Sequence, residues 1–138
     1  MILSKQFSFD AAHRLTFHQG ECFNLHGHTW NGNIEIGMPD GDVQDMIIDF
    51  GLLKEIIKDY FDHKTLVYKK DQGLLEYLRD AGLKHTLLDQ EPTAENLAIL
   101  IKGLVIRLLL DKSNTTELNE ETWVSITLFE SETSSVTV

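Results

Sequence analysis

The stretches ILSKQFSFDAAH at residues 2–13 and HGHTWNGNIEIG at residues 26–37 decide the architecture of this chain. Both alternate with the two-residue period of a strand, in which every second side chain points the same way. In the first, Phe7, Phe9, Ala11 and His13 share a face. In the second, His26, His28, Trp30, Ile34 and Ile36 do. Two successive strands of this kind lie beside each other more often than not. Each apolar face then ends in histidine, and the connection between them, residues 14–25, is a loop that carries the only cysteine, Cys22.

Beyond the second strand the period changes. Asp49 reads as the N-cap of a helix from Phe50 to about Phe61, with Leu52, Leu53, Ile56, Ile57, Tyr60 and Phe61 as its apolar stripe. Residues 62–91 carry weaker patterning; a short helix around Leu74–Leu78, closed by Gly82, fits them best. Pro92-Thr93 opens a second long helix to about Leu110, facing the core with Leu97, Leu100, Ile101, Leu104 and Leu108. A polar loop follows over 111–121. Residues 122–130 alternate as a third strand whose face is Val124, Ile126, Leu128 and Glu130, and 134–138 can form a fourth. The expected fold is α+β: a four-stranded antiparallel sheet with two long helices inserted between strands 2 and 3, within one domain spanning 1–138. So small a sheet leaves edges uncovered, and pairing between subunits would cover them, so a homo-oligomer is expected.

Composition narrows the function classes. A formal charge of −10 repels phosphate backbones, and no Lys/Arg cluster stands out against it, so nucleic acid is not an expected partner. No apolar run reaches the roughly 18 residues of a membrane span. The start, MILSKQFSFDAAH, lacks the basic and apolar segments of an export signal, which makes the cytoplasm the expected location. A single cysteine excludes an internal disulfide.

His26-Gly27-His28 is the strongest chemical signal. Residues two apart on a strand put their imidazoles on one side, where both can reach one ion, and Gly27 leaves room for close backbone approach on the other. With His13 added from the neighbouring strand, three histidines meet at one end of the sheet. Three protein ligands and an open fourth position is the pattern of a catalytic zinc site. The bland reading is a set of strand-end histidines bonded to carbonyls. Cys22 admits three readings: a buried apolar thiol, a fourth ligand closing a structural zinc site, or a thiolate favoured by nearby positive charge without binding the metal. Its polar setting, Gln19-Gly20-Glu21-Cys22, argues against the first, and spacing leaves the other two open.

Asp62-His63 follows the first helix directly. A carboxylate commonly orients a histidine that moves protons, although neighbours in sequence are not expected to bond each other side by side. The alternative is a histidine answering the helix dipole. Glu130 continues the apolar face Val124-Ile126-Leu128. Either the strand has emerged into solvent there, or the carboxylate receives donors from a ligand at the end of the core, the reading that the face-end positions of His13 and His28 favour.

Together these residues resemble the 6-pyruvoyl-tetrahydropterin synthase / 6-carboxy-tetrahydropterin synthase family. The matching stretches are residues 7–15 (FSFDAAHRL), 22–28 (CFNLHGH), 48–50 (IDF) with Leu53-Lys54, Asp62-His63, 92–97 (PTAENL) and Glu130. The match runs in order, and only residues about 68–88 and 111–121 carry little of it. The resemblance implies the tunnelling fold, in which subunits join their sheets into a barrel, commonly as a hexamer with active sites at subunit interfaces. It implies that His13, His26 and His28 bind Zn2+, that Cys22, Asp62 and His63 form the catalytic group, and that Glu130 anchors the pyrimidine edge of a pterin. Thr93 and Glu95 stand as further candidate pterin contacts, Thr93 also as a helix cap; Arg14 and Lys64 are candidate phosphate contacts.

The implied substrate is 7,8-dihydroneopterin triphosphate. The three-residue gap between Cys22 and His26 resembles the bacterial branch that makes 6-carboxy-5,6,7,8-tetrahydropterin for queuosine biosynthesis, with acetaldehyde and triphosphate released. The pyruvoyl branch and the 6-hydroxymethyl-dihydropterin branch are the alternatives within the family; in the latter a glutamate does the cysteine's work, and Glu21 adjoins Cys22. Outside it stand a non-catalytic zinc-stabilised oligomer with Cys22 on the metal, and a metal-independent aldolase of the same fold. Ser131, where threonine commonly follows the anchoring glutamate, is one departure, and it keeps a hydroxyl.

Overall fold

The computed structural model describes residues 1–43, 45–112 and 118–138. Strands β1 (Ile2–His13) and β2 (His26–Gly37) pair antiparallel along their whole length, from Ile2 opposite Gly37 to His13 opposite His26. The expected faces hold. Phe9, Ala11 and His13 are buried on β1, and Trp30, Ile34 and Ile36 on β2. Phe9 stacks at 6.0 Å on Trp30 and at 5.1 Å on Phe61 of the first helix, which joins the sheet to the helical layer.

Asp49 caps α1 (Phe50–Phe61) by accepting from the Gly51 amide at 2.7 Å, and Leu53, Ile57 and Phe61 form its buried stripe. Thr93 does the same for α3 (Ala94–Lys112), its hydroxyl accepting from the Asn96 amide at 3.2 Å. That helix buries Leu97, Ala98, Ile101, Leu104, Val105 and Leu109 against the sheet. It runs to Lys112, past the expected end near Leu110; of the polar loop expected over 111–121, residues 113–117 lie outside the described residues.

The four-stranded antiparallel expectation is corrected by the region that had the weakest pattern. β3 (Lys64–Tyr68) and β4 (His85–Leu88) join the sheet in parallel, and α2 (Gln72–Asp80) makes the crossover between them. With β5 (Trp123–Ser131) and β6 (Ser134–Thr137) the sheet is mixed and has six strands, in the order β4-β3-β1-β2-β5-β6. Five and four residues are too few to display a two-residue period. Parallel strands also require a crossover connection rather than a tight turn, so neither patterning nor turn chemistry announced them. Asp71 caps α2 and Gly82, at φ +67°, ends it in the left-handed conformation that glycine adopts without strain, as its sequence position suggested.

Glycine is demanded elsewhere than expected. A Cβ on Gly27 would meet only ordinary contacts, the nearest being the Ala11 carbonyl at 3.6 Å. On Gly32 and Gly37 it would run into the rings of Phe7 and Trp123, which lie across the neighbouring strand positions. The metal-like motif therefore gains room from Gly27 but does not need close backbone approach there.

Candidate active site

The register of β1 and β2 assembles the histidines. His13 lies opposite His26, and Ala11 opposite His28, so the three imidazoles stand at the end of one sheet face. Their ring centroids are 4.6, 5.0 and 4.9 Å apart, nearly an equilateral triangle, and one nitrogen of each lies within 4.8 Å of the others. Trp30 packs edge-on beneath His13 and His28, at 5.2 and 5.3 Å, and closes the site from the core side.

Hydrogen bonds fix which nitrogens face inward. His13 Nδ1 lies 2.7 Å from the Pro92 carbonyl, and His26 Nδ1 lies 2.7 Å from the Asn24 carbonyl. A carbonyl accepts only, so each Nδ1 carries the proton, which leaves each Nε2 as a lone pair. His13 Nε2 and His28 Nε2 are buried with no hydrogen-bond partner among the described residues. A buried polar atom without a partner costs about 1–3 kcal/mol, and a metal ion would satisfy both. Burial lowers the pKa of His13 and of His28, which keeps both rings neutral, the form that ligates. The residues present therefore fit a zinc ion with nitrogen ligands.

Cys22 sits in a single 3-10 turn, Glu21–Phe23, half-buried. Its thiol is not part of the histidine group, so the closed arrangement of one cysteine and three histidines is not formed in this structure. Four consecutive residues anchor the chain between the histidine corner and this turn. His13 bonds Pro92, Arg14 forms a bidentate pair with Asp71 at 2.6 and 2.8 Å, the Leu15 amide donates to the Cys22 carbonyl at 2.8 Å, and Thr16 donates twice to Glu91. The Arg14 guanidinium also lies 4.9 Å over the Phe23 ring. Arg14 is thus committed to Asp71, whose carboxyl it holds below the usual range, which corrects its reading as a phosphate contact.

Glu130, half-exposed at the end of the β5 face, places an oxygen 3.8 Å from His28 Nε2. It borders the histidine site as its position on the strand suggested. Thr93 stands one residue past the carbonyl that holds His13, with its hydroxyl engaged as a cap. Glu95 is exposed in the first turn of α3.

Asp62 and His63 do bond each other, His63 Nδ1 to an Asp62 oxygen at 2.9 Å, against the expectation for sequence neighbours. His63 is in the left-handed region at φ +56°, which swings the two side chains to one side of the turn. Asp10 holds both: its amide donates to Asp62 at 3.0 Å, and its carbonyl accepts from the His63 amide at 2.7 Å. The bond from Asp10 keeps the Asp62 carboxyl below its ordinary pKa. The Asp10 carboxylate itself lies within 4.8 Å of the ligand atoms of Asp62 and His63. Asp10 and His13 are three apart on one strand, so their side chains project from opposite faces. Within one subunit, then, the Asp62-His63 pair and the three histidines stand on opposite sides of the sheet.

Sequence reasoning missed Asp10, Asp71 and Glu91, along with the carbonyls of Pro92 and Asn24. A carbonyl has no sequence signature, Asp10 acts through its backbone, and the carboxylates of Asp71 and Glu91 hold residues far from them in the chain.

Residues 2–138 match the family model described as 6-pyruvoyl tetrahydropterin synthase. The chain is 47% identical over 110 residues to the 6-carboxy-5,6,7,8-tetrahydropterin synthase of Haemophilus influenzae, covering 72% of this chain and 77% of that protein. The protein of the same name from Rickettsia bellii is 33% identical over 113 residues, 78% of this chain and 82% of its own. Among solved structures, an uncharacterised protein of Wolinella succinogenes superposes with a TM-score of 0.74 over 100% of this chain and 97% of the other; its 18% identity speaks for the fold alone. A corner of three histidines, a cysteine turn and an aspartate–histidine pair on a mixed α+β sheet, joined to these matches, place the chain in the 6-pyruvoyl tetrahydropterin synthase family.

Proposed function

We propose that the protein is a zinc-dependent 6-carboxy-5,6,7,8-tetrahydropterin synthase, converting 7,8-dihydroneopterin triphosphate with release of acetaldehyde and triphosphate for queuosine biosynthesis. The observation that carries this reading is the histidine corner, with the Nε2 atoms of His13 and His28 unpartnered and Cys22 outside the group, on a turn bonded by Leu15 two residues past His13. The choice of branch rests on the names of the Haemophilus and Rickettsia relatives and on the spacing of Cys22 and His26.

His13, His26 and His28 would hold zinc, which supplies Lewis-acid polarisation of the substrate's side-chain oxygens when bound. The chain's own groups divide the remaining work. Cys22 as thiolate removes a proton from the side chain, and His63, oriented by Asp62, returns one. Glu130 accepts two parallel hydrogen bonds from the pterin amino and ring N–H groups. Thr93 and Glu95 contribute to the pterin pocket from the start of α3. Because Asp62-His63 faces away from the histidines of its own subunit, the complete site needs that pair from a second subunit, in keeping with a barrel-forming hexamer of single-domain chains. The edge strands β4 and β6 are the surfaces such an assembly would pair.

No described helix is long and apolar enough to cross a membrane, and a cytoplasmic, small-molecule enzyme is the reading this accompanies. The deciding experiment supplies zinc-loaded protein with 7,8-dihydroneopterin triphosphate and identifies products by mass spectrometry. Carboxy, pyruvoyl and hydroxymethyl pterins differ in mass, and absence of the carboxy product rejects the assignment.

A further inference from the structure

The whole chain carries 22 acidic and 12 basic residues, yet its lysines gather around the Asp62-His63 turn. A cavity of about 830 Å³ opens between the end of α1 and the turn from α2 into β4, walled by Lys58, Lys64 and Lys84 with His63, His85 and Asp62. A second cavity of about 270 Å³ shares Lys58 and Asp62 and adds Lys5 and Lys54. Three of the nine lysines therefore stand beside the turn, and two more line the neighbouring cavity, the Lys5 ammonium 5.8 Å from the Phe50 ring centroid toward the other end of α1. Among the described residues, none of these five ammonium groups forms an ion pair with a carboxylate, whereas Lys69 pairs with Asp89 at 2.8 Å.

The wall is held in place by its backbone. Lys64 donates to the Asp59 carbonyl, Thr65 donates to the Lys84 carbonyl at 3.1 Å, and Gly82 turns the chain between them. Two features oppose an anion here: the carbonyl end of the α1 dipole and the carboxylates of Asp59, Asp62 and Asp10, the last within 4.8 Å of the Asp62 and His63 ligand atoms. Asp62 is already satisfied by the Asp10 amide and His63, and Asp10 accepts from the Thr29 hydroxyl, whereas the three lysines of the wall lack carboxylate partners and outnumber its two aspartates.

We propose that this lysine-walled cavity is a condensed-phosphate site, which takes the triphosphate group beside the Asp62-His63 pair. The inference rests on the reading above that this pair serves a reaction with a triphosphate substrate. Phosphate oxygens suit several ammonium donors converging without fixed geometry, which is what lysine offers. The group can arrive as the substrate's tail or stay as the released triphosphate. The chemistry of recognition is the same, and the test separates them.

Zinc-loaded full-length protein is titrated calorimetrically with inorganic triphosphate in excess magnesium, for the wild type and for Lys58→Ala, Lys84→Ala, Lys84→Arg and, as a control outside the cavity, Lys70→Ala. One site per subunit is expected. Each alanine in the cavity should weaken binding about tenfold, the worth of one charge-assisted contact, while Lys84→Arg and Lys70→Ala bind like the wild type. Added salt should weaken the wild type as well. A second arm measures turnover: a KM for dihydroneopterin triphosphate that rises with kcat held identifies the tail as occupant, and lost inhibition by inorganic triphosphate alone identifies the product. Wild type that does not bind, or alanine variants that bind as it does, overturns the site; withdrawal of zinc by triphosphate would be indifferent to these lysines and counts the same way. Lysine-dependent binding in a chain that makes no carboxypterin leaves the cavity standing and rejects the enzyme assignment instead.

Discussion

The histidine corner and the Asp62-His63 turn are both built from imidazole and its hydrogen-bond partners, and they are built in opposite ways. The corner is buried at its base, where His13 is 1% exposed and Trp30 beneath it 0%, and His26 and His28 are half-buried. His13, Arg14 and Thr16 are tied from far along the chain, by Pro92, Asp71 and Glu91 in turn, while His26 is held locally by the Asn24 carbonyl. At the turn the ring bonds the preceding residue, the Asp10 backbone on β1 holds both residues, and the His63 side chain is 76% exposed. A metal corner has to be rigid before the metal arrives, because the ion's affinity depends on ligands already converging. A proton-transfer pair that meets its substrate across a subunit boundary has to face outward from its own subunit. The difference is what the proposed assembly requires: one group converges within the subunit, and the other faces outward from it.

The strongest test of that contrast is His13→Ala. It removes a proposed ligand together with the tie to Pro92, so zinc content should fall well below one per subunit and turnover should vanish. A variant that keeps stoichiometric zinc by atomic absorption breaks the ligand assignment. Cys22→Ala should leave zinc content intact and cut kcat by about 10²–10⁴-fold, the usual worth of a positioned proton-transfer group. Loss of zinc along with activity would instead put the sulfur on the metal.

On the outward half, His63→Gly keeps the backbone at φ +56° and removes only the ring; kcat should fall about 10²-fold with zinc and melting temperature unchanged. Asp62→Asn, which weakens the orientation of that ring, should cost less, about tenfold. If mixing His63→Gly protein with Cys22→Ala protein restores part of the activity, the two halves come from different subunits. If it restores none, each subunit works alone.

Smaller effects separate the two regions by stability. Asp71→Asn takes the charge from a bidentate pair that braces the Cys22 turn, and should lower the unfolding free energy by about 2 kcal/mol in urea. Its pH signature is also distinct. Arg14 holds the Asp71 carboxyl below 3.8, so this contribution is present above that value and is lost as pH falls through the lower folded-state pKa. His13 and His28 behave otherwise. Burial lowers both from 6.5, so the unfolded chain takes up protons first; the metal-free protein should lose stability as pH falls below about 6.5. Acid unfolding of the metal-free protein that begins only near pH 4 would show that the corner is not strained by desolvation.

Much of this was legible in the linear chain. The alternation of residues 2–13 and 26–37 predicted both strands, and their histidine ends predicted the triangle, because a period of two leaves no choice about which side chains share a face. The caps at Asp49 and Thr93 and the turn at Gly82 followed from local chemistry acting on neighbouring residues. What tertiary structure alone decided is of another kind. The parallel insertion of β3 and β4, the commitment of Arg14 to Asp71, and the opposite-face placement of Asp62-His63 all join residues 50 or more apart in sequence or depend on such pairings. Periodicity and capping act over a few residues and leave a record in the sequence. Partner choice across the sheet is settled only when the chain has packed, since a carbonyl or a carboxylate looks the same in the sequence whichever group it finally meets.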